Sequence, residues 1–149
     1  MSAFEIDLVA LEHGDVELTQ RVLREIKRRS PGDPERFLDG PGTVAFAATV
    51  ETEPVGWAYG YILDRPDGHR MMLLYEMEVA RAWRRRGIGR QLVRAFRQRA
   101  IDSGCNTMWL ITEDSNVDAQ LLYQLEGATP EGARLQFAWR DLRLDQPDL

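Results

Sequence analysis

Residues 71–104 constrain this chain more than any other stretch: an apolar strand, MMLLYEMEV, runs into the turn Arg84-Arg85-Arg86-Gly87-Ile88-Gly89, and an amphipathic helix begins there. The run 71–79 is apolar until Glu76 and Glu78 interrupt it, the pattern of a strand buried on one face. After the turn, Ile88, Leu92, Val93, Phe96 and Ala100 share one helical stripe. Arg90, Gln91, Arg94, Arg97 and Gln98 share the other, and Gly104 stops the helix. The first turn of a helix has backbone N–H groups without intrahelical partners and carries about half a positive charge, so such a corner binds anions, phosphate above all. Gly87 and Gly89 bring no side chain to hold a diphosphate off those groups, and both tolerate unusual backbone angles. Arg84, Arg85 and Arg86 add mobile positive charge. A lone GxG is equally compatible with a solvated basic turn, so a second motif is required.

Charge is segregated along the chain. The formal net charge is −5, yet eight arginines fall between Arg81 and Arg99. That division suits an anionic cofactor on one side and a cationic acceptor on the other, and it argues against a nucleic-acid partner, which favours a basic domain. The 149 residues predict one domain, 1–149, with 145–149 a frayed tail. No apolar run reaches membrane-spanning length and the first residues lack the basic and apolar regions of a signal peptide, so the expectation is a soluble cytoplasmic protein without a membrane partner. Cys105 is the single cysteine, and with two scattered histidines no metal site is expected. Cys105 reads as a buried structural residue rather than an acyl-enzyme nucleophile, and His13 and His69 as solvated.

Taken in order, 4–11 is a first strand. Asp15 caps a helix running to 29 with Val22, Leu23 and Ile26 inward, and 30–34 breaks it. A short helix at 34–38 precedes strands at 43–50, 55–63 and 71–79, an antiparallel meander. Beyond the arginine-rich helix come a strand at 106–112, a helix capped by Ser115 that ends near Gly127, and a last strand at 134–142. The class is α/β (α+β): a mixed, mostly antiparallel central sheet with helices on both faces, in which the 71–79 strand, the helix and the 106–112 strand make a parallel crossover.

The second motif lies after that crossover, where Asn116, Ala119 and Tyr123 follow the pattern N-x-x-A-x-x-L-Y before Gly127. With V-x-x-x-x-R-R-R-G-I-G, it resembles the GNAT superfamily of acetyl-coenzyme A-dependent N-acetyltransferases over nearly the whole chain. Within that superfamily the chain looks most like the aminoglycoside 3-N-acetyltransferases, an antibiotic-resistance type of activity, through Leu74-Tyr75-Glu76-Met77-Glu78-Val79 and the acidic Glu113-Asp114. Ala128 stands where many members have Phe.

The resemblance implies acetyl-coenzyme A as co-substrate. Its pantetheine arm would pair with the backbone of Met77, Glu78 and Val79, and its pyrophosphate would lie in the loop Arg84, Arg85, Arg86, Gly87, Ile88, Gly89 and Arg90. Asn116, Ala119 and Tyr123 complete that side, Asn116 either bonding the arm or contributing to the helix N-terminus. By position the Val79 N–H polarises the thioester carbonyl and Tyr123 protonates the leaving thiolate. Glu76 and Glu78, about 7 Å apart on one strand face, serve a polycationic acceptor, with Glu76 the preferred base, directly or through water. Tyr75, Glu113 and Asp114 join them as acceptor contacts. Trp57, Tyr59 and Tyr61 alternate on their strand, where they either line an acceptor cleft or pack across strands. The acceptor is a small-molecule primary amine, best an aminoglycoside. A protein N-terminus of the ribosomal-protein type is the enzymatic alternative, a non-catalytic acyl-coenzyme A sensor the other, and a homodimer through the final strand is possible.

Overall fold

The computed structural model describes residues 4–30, 32–132, 135–140 and 142. Strands β1 (Asp7–Ala10), β2 (Thr43–Val50), β3 (Glu53–Asp64) and β4 (Arg70–Val79) form an antiparallel meander, and β5 (Thr107–Trp109) joins parallel to β4, giving the order β1-β2-β3-β4-β5. Helices α1 (Val16–Glu25) and α2 (Pro34–Leu38) precede the meander, α3 (Ile88–Asp102) crosses from β4 to β5, and α4 (Val117–Leu125) follows β5.

Alternation along β2 builds a core on each face. Val44, Phe46 and Ala48 point to the α3 side, where they meet Met72, Leu74, Ile88, Leu92, Val93 and Phe96. Ala45 and Ala47 point the other way, with Trp57, to Val22 and Ile26 from α1 and its end and to Leu38 of α2. The mixed sheet with helices on both faces is therefore as the sequence predicts, including the parallel crossover.

Several boundaries differ from expectation, each for a local reason. Helix α1 stops at Glu25 rather than 29 because Arg28 takes φ 51° and the Arg29 N–H turns back to the Leu23 carbonyl. Asn116, not Ser115, caps α4: its side chain accepts from the Ala119 N–H at 3.2 Å. Strand β5 spans three residues because its pairing with β4 ends at Leu73 and Trp109. Of the last expected strand, 134 and 141 lie outside the described residues, and 135–140 form no strand. Leu135, Phe137 and Trp139 alternate as a strand would, yet all three are exposed; period-two patterning makes a strand only when a neighbour takes its backbone hydrogen bonds.

One irregularity positions the site. Tyr59 pairs with Glu76 but the next residue, Gly60, pairs with Leu74, so Tyr75 is an extra residue in β4. A bulge inverts the alternation beyond it. Leu74, Met77 and Val79 all belong to the α3-side core, while Glu76 and Glu78 turn to the α1 side. Gly60 makes this possible, since a Cβ there would sit 1.9 Å from the Leu73 carbonyl oxygen.

Candidate active site

Because β4 and β5 pair only from Met71 to Leu73, the β5-side edge of β4 from Leu74 to Val79 has no strand partner among the described residues. It is an unfilled row of backbone donors and acceptors, able to accept an extended chain. At its end the chain passes Ala80 and one 3-10 turn, Arg81–Trp83, before the arginine loop. Arg84 Nε donates to the Val79 carbonyl at 3.0 Å, and the Arg86 guanidinium lies 4.8 Å from the centre of the Trp83 ring. Arg85 takes φ 62° and Gly87 φ 81°, and α3 starts with Gly87 as a cap that offers no side-chain acceptor. Its first-turn N–H groups thus face the loop with three exposed arginines beside them.

The two glycines have different work. At Gly87 a Cβ would meet nothing within 4 Å, so only the backbone angle requires glycine. At Gly89 the angle is ordinary and a Cβ would come 2.9 Å from Leu122 Cδ1 and 3.6 Å from Met77 Cε. Gly89 therefore lets α3 approach α4 and β4. Gly87→Ala should cost about 1–2 kcal/mol through φ alone, readable as a shift in the urea midpoint with unchanged slope.

On the α1 side of β4 lies a cleft of about 190 Å³ lined in part by Lys27, Phe37, Trp57, Tyr59, Tyr61 and Glu76. Tyr59 is the hub of its wall: its ring sits 4.8 Å from Trp57, 5.3 Å from Phe37 and 5.6 Å from Tyr75. Its hydroxyl donates to Glu76 Oε2 at 2.9 Å. Lys27 Nζ pairs with Glu76 Oε1 and, at 2.7 Å, with Glu78 Oε2. Burial opposes ionisation of Glu76, but the hydrogen bonds from Lys27 and Tyr59 outweigh it and hold its pKa below the usual carboxylate range. Burial likewise opposes the Lys27 ammonium, and the two carboxylates outweigh it and raise its pKa. Burial, with the Glu76 carboxylate, pushes the Tyr59 phenol up. Trp57 is 3% exposed and its Nε1–H is buried without a partner, so this wall holds an unsatisfied donor. The aromatic residues thus both line the cleft and pack across strands.

The remaining candidates are distributed around these two features. Tyr123 packs against the α3-side core, the face opposite Glu76, and burial raises its pKa, keeping the phenol protonated. Asn116 is engaged as the α4 cap, with the Ala119 N–H as its donor. Glu113 and Asp114 are exposed, in the turn before α4, and are not among the residues lining the cleft; their carbonyls accept from Gln120 Nε2. Arg90 is committed elsewhere: its Nε donates at 2.6 Å to Glu126, a buried carboxylate that also takes Arg94 Nε at 3.0 Å. Hydrogen bonds from Arg94 and Arg90 depress the Glu126 pKa. Cys105 is half-buried and burial pushes its thiol up, away from nucleophilic chemistry. His13 is solvated as expected, pairing with Asp39 at the surface, whereas His69 is half-buried with its Nε2 3.1 Å from Thr107 Oγ1.

Sequence reasoning missed Lys27 and Glu126. A signal for Lys27 was present: it lies four residues after Leu23, continuing the inward row of α1 toward a strand carrying two carboxylates. Nothing local marks Glu126, whose partners are on another helix.

A strand with an open edge that runs into a glycine-capped helix, opposite a cleft holding a carboxylate, suits a ligand with an extended arm and an anionic end. The chain matches the acetyltransferase (GNAT) family over residues 12–127 and belongs to it. Its acyl donor is acetyl-coenzyme A. No curated protein matches the sequence. Among solved structures, an aminoglycoside acetyltransferase, meta-AAC0020, from an uncultured soil metagenomic sample, in complex with sisomicin, superposes with a TM-score of 0.79 at 20% identity, covering 91% of this chain and 95% of that one. The aminoglycoside N-acetyltransferase AAC(6′)-Iy in complex with CoA gives 0.74 at 24% identity over 93% and 97%. A ribosomal-protein-alanine N-acetyltransferase from Brucella melitensis biovar Abortus 2308 gives 0.74 at 20% over 91% and 100%. Among the described residues no helix is long and apolar enough to cross a membrane.

Proposed function

We propose that this acetyltransferase moves acetyl from acetyl-coenzyme A directly to a primary amine of an aminoglycoside or a similar small polycation. The carrying observation is that one strand, β4, offers an open backbone edge at the arginine loop and the Glu76 carboxylate to an aromatic cleft, with Glu78 joined to it through Lys27. The Met77, Glu78 and Val79 backbone takes the pantetheine arm. Arg84, Arg85, Arg86, Gly87, Ile88 and Gly89 surround the pyrophosphate with Arg90 at the margin, and Asn116, Ala119 and Tyr123 flank the thioester. The amine nitrogen attacks the carbonyl carbon, polarised by the Val79 N–H. The C–S bond breaks, Tyr123 gives its proton to the thiolate, and Glu76 takes the proton lost by nitrogen, directly or through water. Glu78 and Tyr75 contact the acceptor. The cleft receives the reacting amine beside Glu76, and the exposed Glu113 and Asp114, which do not line it, are left for outlying cations.

Solved neighbours named for aminoglycosides support this acceptor class. The sequence resemblance favours the 3-amino group, whereas a neighbour's name carries 6′. Thiol release from acetyl-coenzyme A with aminoglycosides, polyamines and N-terminal peptides, followed by mass spectrometry and NMR of each product, tests both points. An acetylated peptide alone would replace the proposal with protein N-terminal acetylation. Tight coenzyme A binding without release would favour a sensor. Tyr123→Phe should lower kcat by roughly 10²-fold without weakening acetyl-coenzyme A binding, measured by steady-state kinetics and calorimetry. Val117, Leu121 and Leu125 recur every four residues on α4 and are exposed, which supports a homodimer through this helix; a monomeric mass by light scattering would remove it.

A further inference from the structure

The cleft already contains one primary ammonium group, its own. Lys27 reaches in from the turn after α1, its side chain only 11% exposed, and its Nζ bridges Glu76 and Glu78 in a site walled by Tyr59 and Trp57. We propose that Lys27 is a tethered stand-in for the acceptor's ammonium, holding the carboxylate pair until a cationic acceptor displaces it, so that every ammonium acceptor binds more weakly by the cost of that displacement. The inference rests on Glu76 and Glu78 being the acceptor's anchors.

Three features carry it. An alkyl stem ending in an ammonium, set between carboxylates in a cleft lined by aromatic side chains, is the environment in which an alkylammonium ligand is bound. A second cation cannot share the pair without placing like charges side by side, so binding is an exchange. The tether can yield: lysine has a flexible four-carbon stem, and Lys27 follows the last residues of α1 just before Arg28 reverses the chain. Lys27 leaves as a cation, since its carboxylate partners keep it charged. A monocation would merely replace it. A second ammonium has Asp33 within the same cleft, whose Oδ1 accepts from the Arg36 N–H and whose other oxygen is left for it, against the opposing charge of Arg29 there. Tyr59 still donates to Glu76 after the exchange, so the carboxylate stays oriented for the incoming amine.

The test needs no acetyl transfer. Calorimetry with n-butylammonium and with spermidine on the full chain should show Lys27→Met binding n-butylammonium at least fivefold more tightly than the unsubstituted protein, and Lys27→Arg should retain the weaker binding. Because both ligands displace the same group, spermidine should tighten in Lys27→Met by about the same factor as n-butylammonium, and tightening of one without the other would also overturn the proposal. Equal or weaker n-butylammonium binding by Lys27→Met overturns the proposal and leaves Lys27 a brace for β4. If that variant does not fold, Lys27→Gln is measured in its place. In the unsubstituted protein, the lysine ε-carbon NMR signal of Lys27 should move as spermidine saturates; saturable binding without movement also overturns it. Once an acceptor is known, the acid limb of kcat/KM should lie at higher pH in Lys27→Met, because Glu76 has lost a cation while Tyr59, Tyr61, Glu78 and Arg29 still surround it. Tighter ammonium binding by Lys27→Met in a protein that acetylates no panel member would uphold this inference and remove the aminoglycoside reading, and the converse would do the reverse.

Discussion

Glu76→Gln is expected to lower kcat/KM for the acceptor by roughly 10²- to 10⁴-fold while acetyl-coenzyme A binding is retained, the span of a positioned general base. The substitution keeps shape and hydrogen-bonding capacity and removes the charge, so Tyr59 retains a partner but Lys27 loses one of its two carboxylates. Because Lys27 and Tyr59 hold the Glu76 pKa below the usual carboxylate range, its basic form persists as pH falls and kcat/KM declines only when pH drops through that lowered pKa. In Glu76→Gln this acid limb should vanish, leaving the limb set by the acceptor's own amine. A carboxylate so stabilised is a weak base, which favours a step in which Lys27 has already left and Glu76 has regained basicity. Glu78→Gln should cost less, mainly in KM, since Glu78 meets Lys27 but does not line the cleft. A rate for Glu76→Gln equal to that of the unsubstituted protein across the pH range would take Glu76 out of the mechanism.

How much of this was legible in the sequence follows from how local each determinant is. The strand, arginine loop and helix of residues 70–102 were readable because periodicity, glycine and charge all act over a few residues, and the first of the two GNAT motifs falls in that stretch, the second at Asn116 to Tyr123. The paired faces of β2 and the meander followed from turn residues and alternation. The bulge at Tyr75 was not readable, because it is a relation between Gly60 and Leu74, residues far apart in sequence, and strict alternation in β4 would have put Leu74, Glu76 and Glu78 on one face. Lys27 escaped for the same reason: its partners lie about fifty residues away, |i−j| being 51 for Glu78, and a lysine near a helix end is ordinarily solvated. Residues 135–140 failed in the opposite sense, since their alternation is a local signal for a strand whose partner the described residues do not supply. The crowding at Gly89 was not readable either, because Leu122 and Met77, which a Cβ there would meet, come from other elements.

Gly60→Ala should destabilise the fold by roughly 2–4 kcal/mol, more than either loop glycine, because its new methyl would meet backbone. The Cβ would stand 1.9 Å from the Leu73 oxygen, 2.9 Å from its carbonyl carbon and 3.1 Å from Leu74 Cα, none of which can rotate away as a side chain could. Relief requires β3 and β4 to separate at the bulge. That movement carries Tyr75 and Glu76, the residues next along the strand, so the Tyr59–Glu76 hydrogen bond and the Lys27 contact should be lost with it. The corner at Arg84 to Gly89 lies beyond the strand's far end and should keep its coenzyme A binding wherever the variant remains folded. Urea denaturation should therefore show a lowered midpoint with unchanged slope, and calorimetry on the folded protein should show acceptor binding falling more than acetyl-coenzyme A binding. A stability change within about 0.5 kcal/mol would mean that the bulge accommodates a methyl group, and Gly60 would then not be what turns the carboxylates toward the cleft.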